Sequence, residues 1–479
     1  MVFSSPAFLF AFLPCVLALF FGLPRRVRTP MLFGASLVFY AWGETLFVLY
    51  LIASVAVNYA LGLALERAAT PRRRRLVVAA AVAGNVGALA WFKYAGFLSS
   101  NAVSLATVVG LPVPPLLATH LPIGISFITF EAVSYIVDVY RGTLRAQRNP
   151  IHVGFFVSFF PHLIAGPILR FANVQGPLSG PTVTLAGFES GVRRFILGLA
   201  KKVLVANTVA RVVDDVFALP GTGLSTGAAW LGVLCYAVQI YFDFSGYTDM
   251  AIGLGRMFGF ELPENFRLPY ASTSIRDFWR RWHITLSRWF RDYLYIPLGG
   301  NRVSRRRQYL NLFAVFLLCG LWHGARWTFV AWGAFHGCFL VFERGHFGRW
   351  LASAWRPLQH AYAMAVVLVG WALFRSESMT QAFSILGAMA GYSLAPPWRR
   401  NEWVSRLDRE LVLTLLVAIP LATLPLGAWA AELRARLARR RWAGLACDLA
   451  AATATITLFA ASAAYLASGT YNPFIYYRF

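Results

Sequence analysis

Apolar runs of about 20 residues, the length an α-helix needs to cross the hydrocarbon of a bilayer, recur along this chain from Phe8 to Ala467, separated by short clusters of arginine and lysine. Lipid offers no hydrogen bonds, so each backbone N–H and C=O in such a run must be satisfied by the protein itself. The expectation is an all-α, polytopic integral membrane protein, with residues 1–479 forming one membrane domain. Composition agrees: 58% of residues are hydrophobic and only 13% charged, about half the charge a soluble domain carries. The aromatic share of 16% suits lipid-facing and interfacial positions.

The charge is lopsided, with 44 Lys+Arg against 20 Asp+Glu and a net charge of +24. In a soluble chain that would suggest nucleic acid. Here the basic residues lie between apolar runs, where they mark cytoplasmic ends of spans, so no nucleic-acid partner is expected and membrane lipid is. The five cysteines (Cys15, Cys235, Cys319, Cys338, Cys447) form no CxxC pair, and His, Cys, Asp and Glu converge in no recognisable spacing, so neither a disulfide frame nor a metal site is expected.

Walking the positive-inside rule along the chain starts from Phe8 to Leu23, which has basic residues only after it and so places the N-terminus outside. Met31 to Leu65, broken at Gly43, Leu76 to Leu98 and Leu121 to Tyr140 alternate between the basic clusters at Arg25–Arg28, Arg72–Arg75 and Arg141–Arg148. Ile151 to Leu169 holds Pro161, His162, Gly166 and Pro167, which would break a spanning helix, so a re-entrant element shielded by protein is expected. Val203 to Phe217, Gly227 to Met250, a hairpin of Tyr309 to Leu321 and Trp327 to Phe342, then Pro357 to Phe374, Leu411 to Ala430 and Gly444 to Ala467 complete the walk. Both termini then lie outside. No repeat of fixed period is visible, and no Walker loop, GxSxG or HExxH occurs.

An ionisable residue at membrane depth is costly and asks for a reason. His323, in Trp322-His323-Gly324 between two apolar segments, serves equally as a histidine bonded to a neighbouring helix or as a general base. His283 sits in a segment, Ser274 to Tyr295, whose Trp279, Trp282, Leu286 and Trp289 recur at helical spacing. That pattern reads as one amphipathic helix with its tryptophans anchored at the headgroups, and its arginines suit lipid phosphates or the phosphates of an acyl-carrying cofactor. Asp243 and Asp249 are expected to pair with arginines of this cytoplasmic segment. His336, Glu131, Asp138 and Glu343 are weaker candidates, and His120, His152, His162, His346 and His360 suggest no role.

The run YFDFSGYTDMAIGLGRMFGFELPENF from Tyr241, FWRRWHITLSRWFRDYLYIPLGGNR from Phe278 and LWHGARWTFVAWGAFHG from Leu321 closely resembles the membrane-bound O-acyltransferase (MBOAT) family, in its bacterial polysaccharide-acetylating branch. LPIGISFITFEAVSYIVDVYRG from Leu121 and the terminal NPFIYYRF extend the resemblance to nearly the whole chain. It implies a helical bundle of roughly 10–12 transmembrane helices plus re-entrant elements around a transmembrane tunnel. It also implies catalytic roles for His323 and His283, no bound cofactor, and acetyl-coenzyme A as the donor substrate. The acceptor implied is the hydroxyls of an extracytoplasmic polysaccharide such as alginate, with a partner acetyltransferase, at the bacterial inner membrane. Transfer would use His323 as general base and His283 to orient a reactant, with no cysteine in a nucleophile context. The alternatives are D-alanyl or other acyl transfer within the family, and a transporter of an acyl donor or lipid-linked sugar.

Overall fold

The computed structural model describes residues 1–117, 119–437, 441–469 and 472. It is all-α, with no strand among the described residues. A π-helical turn at Phe8–Phe12 leads into α1 (Leu13–Gly22), followed by α2 (Arg25–Ala41) and α3 (Phe47–Arg67), so the break expected at Gly43 is present. Helix α4 (Pro71–Val109) is much longer than its apolar run: Thr70 caps it by accepting from Arg73 N (3.2 Å), and the left-handed Gly110 ends it. Then come α5 (Ile125–Arg141) and the buried broken element α6 (Pro150–Ser158), α7 (Phe160–Leu163) and α8 (Phe171–Val174), which occupies the stretch expected to be re-entrant.

Helix α9 (Leu185–Ala200) runs through a π-helical stretch, Lys201–Ala206, into α10 (Asn207–Phe217), and α11 (Thr226–Met257) follows. The polar segment holds α12 (Ile275–Arg281) and α13 (Ile284–Phe290) with a π-turn at Arg291–Tyr295, and the hairpin is α14 (Arg305–His323) and α15 (Trp327–Phe342). The remaining helices are α16 (His346–Ser353), α17 (Arg356–Arg375), α18 (Met379–Met389), α19 (Arg409–Thr423), α20 (Leu426–Leu437) and α21 (Arg441–Ala467). By length and composition five described helices could cross a membrane, or six if the α19–α20 pair, bent by 77°, counts as one span. The larger number of crossings expected therefore is not met by long apolar helices alone, because several runs are divided into short pieces or carry polar ends that other helices cover.

The centre of the bundle is α11, buried along most of its apolar length. It packs against α9 through two facing glycine pairs: a Cβ added at Gly198 would stand 2.5 Å from the Gly246 carbonyl oxygen, and one at Gly191 would stand 2.7 Å from that of Gly253. The two pairs are seven residues apart along each helix (198 − 191 and 253 − 246), two turns, so the backbones approach along a continuous stripe. Close approach leaves little room for unpaired charge. Asp249 takes Arg194 (2.7 Å) and Lys201 (2.6 Å), Arg194 also bonds Glu264, and Lys202 meets Asp243 at 3.0 Å. The acids of α11 thus pair with α9 and the π-helix after it, and not, as expected, with the segment around His283, because α9 is the neighbour their helix presses against.

Lys202 also donates to Asn207 (2.8 Å), whose Nδ2 donates to Asn472 Oδ1 (3.1 Å), and Asn472 Nδ2 in turn donates to the Ser4 carbonyl oxygen (3.0 Å). The two ends of the described chain meet here. The rest of the NPFIYYRF motif, from Pro473 onward, and hence the expected side of the C-terminus, lies outside the described residues, as does part of the basic cluster after Arg434.

Candidate active site

The expected amphipathic helix from Ser274 to Tyr295 is broken in two at Trp282 and His283. Ser274 caps α12 by accepting from Asp277 N (3.0 Å), and Glu343 takes the backbone N–H groups of Ile275 (2.6 Å) and Arg276 (2.9 Å). Four donors are exposed at any helix start, and a buried carboxylate there satisfies two at once. Trp279, Trp282 and Leu286 are buried in the protein, and Trp289 stacks on Phe130 with centroids 3.7 Å apart. These tryptophans are packing residues, correcting the reading of headgroup anchors: helical spacing says which residues share a face but not whether lipid or protein covers it.

His283 has φ 43° and ψ 55°, the left-handed region that non-glycine residues seldom occupy. The conformation reverses the chain and turns a fully buried imidazole toward Asn265, whose Oδ1 lies 3.1 Å from Nδ1. That oxygen accepts from the backbone N of Thr285 (3.2 Å) and from Thr285 Oγ1 (3.0 Å), while Thr285 Oγ1 accepts from Ile168 N (3.0 Å). An oxygen accepting from a backbone N–H must be the carbonyl of the amide, so the network assigns the proton to His283 Nδ1 and leaves Nε2 as an acceptor. Nε2 is buried and has no hydrogen-bond partner among the described residues.

His323 is the last residue of α14, 6% exposed, and the backbone leaves the helix extended at Gly324. Its ring is held edge-on by Trp322, Trp332 and Phe374 at 4.8, 5.1 and 5.1 Å. The final carbonyls of a helix lack intrahelical partners, and those of α14 are met by α4: Lys93 Nζ donates to the oxygens of Trp322 and His323, and the Tyr94 hydroxyl to that of Leu321. His323 opens on a cavity of about 120 Å³, which Lys93, Gly124, Ser126, Phe127 and Trp322 also line.

The two candidate histidines, forty residues apart in sequence (323 − 283), are brought to one indole: the Trp322 centroid lies 4.8 Å from the ring of His323 and 6.1 Å from that of His283. Asn265 and Ser245 line a second cavity of about 820 Å³, together with apolar residues of α19 and α21 and with the charged Arg194, Lys201, Arg267, Asp249 and Glu264. The Nδ2 of Asn265 and the hydroxyl of Ser245 are buried there without hydrogen-bond partners among the described residues. None of the five cysteines lines either cavity.

The other candidates lie elsewhere. His336 is buried between Trp279 (5.2 Å) and Trp332 (5.0 Å) and reaches neither cavity. Glu131 and His162 form a fully buried pair, Oε1 to Nδ1 at 3.0 Å, with Leu169 N donating to the same oxygen (3.2 Å), which ties the broken element to α5. Asp138 accepts from the Tyr293 hydroxyl (2.9 Å), His120 meets Glu44 (3.0 Å), and His360 Nδ1 lies 3.0 Å from the Ser272 carbonyl oxygen. Nearby, burial works against the charge of Asp292, but hydrogen bonds from Arg291 and Arg170 outweigh it and hold the carboxyl below its usual range. Sequence reading missed Lys93, Asn265 and Thr285. A lone lysine within an apolar run was a signal that could have found the first. The others became visible only when the chain reversal at His283 placed them.

A model of the MBOAT, membrane-bound O-acyltransferase family matches residues 125–380. The sequence is 42% identical to the probable alginate O-acetylase AlgI of Azotobacter vinelandii over the whole of both chains. It is 34% identical to a peptidoglycan O-acetyltransferase of Helicobacter pylori over 88% of this chain and 86% of that one. A third similarity, 30% over 48% of this chain and 62% of its counterpart, is to a teichoic acid D-alanyltransferase of Bacillus subtilis.

Proposed function

This chain belongs to the membrane-bound O-acyltransferase family, and from that premise we propose that it moves an acetyl group from a cytoplasmic thioester, acetyl-coenzyme A, to hydroxyls of an extracytoplasmic polysaccharide such as alginate. It is a membrane acyltransferase, so the transporter alternative falls away. The observation that carries the finer reading is the meeting of His283 and His323 at Trp322, with a cavity at His323 and a second one at Asn265, the hydrogen-bond partner of His283.

In the mechanism we propose, His323 takes the proton of the acceptor hydroxyl as its oxygen attacks the thioester carbonyl carbon. The new C–O bond forms, the C–S bond breaks, and the imidazolium returns the proton to the leaving thiolate, so the histidine ends as it began. His283, with Nε2 as a fixed acceptor, holds an O–H or N–H of one reactant in line. The absence of cysteine from both cavity linings favours direct transfer over an acyl-cysteine. The apolar lining of the larger cavity suits the flexible arm of such a donor, and Arg267, which no carboxylate pairs with among the described residues, suits a phosphate. Delivery to a polymer beyond the membrane suits a partner acetyltransferase there, and a bacterial inner-membrane location follows from a cytoplasmic donor.

The test is acetyl transfer from labelled acetyl-coenzyme A by the purified protein. His323→Gln, which keeps polarity and approximate size without a base, should lose at least ~10²-fold of the rate while inserting and melting normally. A well-folded His323→Gln protein with near-normal acetylation sinks the catalytic assignment. Transfer from a D-alanyl carrier protein in place of acetyl-coenzyme A would favour the second reading, which the D-alanyltransferase similarity supports.

A further inference from the structure

The amine of Lys93, on α4, lies beside His323. Little of the apolar length of α4 is fully buried, yet Lys93 turns its head into the bundle, onto the carbonyl oxygens of Trp322 and His323 and 5.8 Å from the Trp322 ring centroid. No carboxylate pairs with it among the described residues, and it is the only lysine or arginine lining the His323 cavity. A basic hydrogen-bond donor kept at this depth with no acid beside it asks for a reason in function.

An ammonium has three N–H donors. Two are spent on the end of α14, which fixes Lys93 relative to His323, and the cavity lies open to the third. We propose that Lys93 is a catalytic residue for acyl transfer, donating this third hydrogen bond to the carbonyl oxygen of the thioester as it becomes an oxyanion. The inference rests on the acyl-transfer reading of the His323 cavity. As the hydroxyl oxygen adds to the carbonyl carbon, the C=O electron pair moves onto oxygen and is held by Lys93. As C=O re-forms, the C–S bond breaks, and Lys93 keeps all its protons throughout. A donor fixed in advance, in a site poor in water, is the arrangement that lowers such a barrier most.

The experiment compares Lys93→Met with the native protein in detergent, measuring kcat and KM for acetyl-coenzyme A together with the melting temperature. The expected result is a fall in kcat of ~10²–10³-fold, with KM changed less than threefold and no loss of folded protein, because the interaction exists only in the transition state. A kcat within threefold of native, or a loss confined to KM, overturns the proposal. If Lys93→Met does not accumulate, Lys93→Gln decides by the same limits, since it keeps an N–H2 donor for the helix carbonyls and removes the charge. The outcome is separable from that of His323→Gln: an active His323→Gln protein with an inactive Lys93→Met one removes the base and keeps the oxyanion donor, and the reverse pattern does the opposite.

Discussion

The Oδ1 of Asn265 accepts from Thr285 N and from His283 Nδ1, and this fixes the tautomer of His283 with its Nε2 as acceptor. Removing the amide should release that choice. Asn265→Leu is expected to lower acetyl transfer by at least ~10-fold, as losing the residue that orients a functional imidazole does. Asn265→Asp, which still accepts from both groups, should retain more activity. Equal rates for the two variants would show that the tautomer does not matter.

The left-handed backbone at His283 separates geometry from chemistry. Asn tolerates this region better than most residues, Gly occupies it freely, and Ala is strained there by about 1–2 kcal/mol. In melting experiments the order of stability at position 283 should be Gly above Ala, with Asn between them or near Gly. In acetyl transfer the order should be Asn first, because only Asn also offers an acceptor. Parallel orders in both measurements would return His283 to a purely structural role.

At the α9–α11 contact, a methyl group on Gly246 would lie 2.7 Å from the Gly198 carbonyl oxygen, with backbone as the obstacle. Gly246→Ala should therefore cost about 1–3 kcal/mol, read as a lower melting temperature in detergent. Gly84→Ala, where nothing lies within 4 Å, is the matched control and should melt like the native protein or above it.

Asp292 gives a pH prediction of defined sign. Its carboxyl is held below the usual range in the folded protein, so its contribution is complete above the unfolded value of about 3.9 and is lost as pH falls through the folded one. Asp292→Asn should melt below the native protein at pH 7, and the gap should close below about pH 4. A gap unchanged across that range would mean that the guanidinium groups of Arg170 and Arg291 contribute nothing through charge.

The all-α character, the break at Gly43 and the buried broken element around Pro161 were legible because hydropathy and proline act locally. The two histidines were legible as polar residues in apolar surroundings, but their meeting at Trp322 was not, since it depends on how α13 and α14 pack. Helix α9 is absent from the expected spans for a physical reason: Arg193 and Arg194 interrupt its apolar residues, and the partners that neutralise Arg194, Asp249 and Glu264, lie far along the sequence. His162 suggested nothing on its own because its partner, Glu131, comes from another helix.

The hydrogen bonds joining Ser4, Asn207 and Asn472 also set an order of events. A chain leaves the ribosome from its beginning, and Asn472, which donates to the Ser4 carbonyl, comes 468 positions after it. Until that late residue arrives, the Asn207 amide that receives Lys202 lacks its outer partner, and the corner holding the buried Lys202–Asp243 pair is unfinished. Such distant contacts form slowly. This corner is therefore completed only once Asn472 has been made, and Asn472→Ala should be felt first around Ser4 and Asn207.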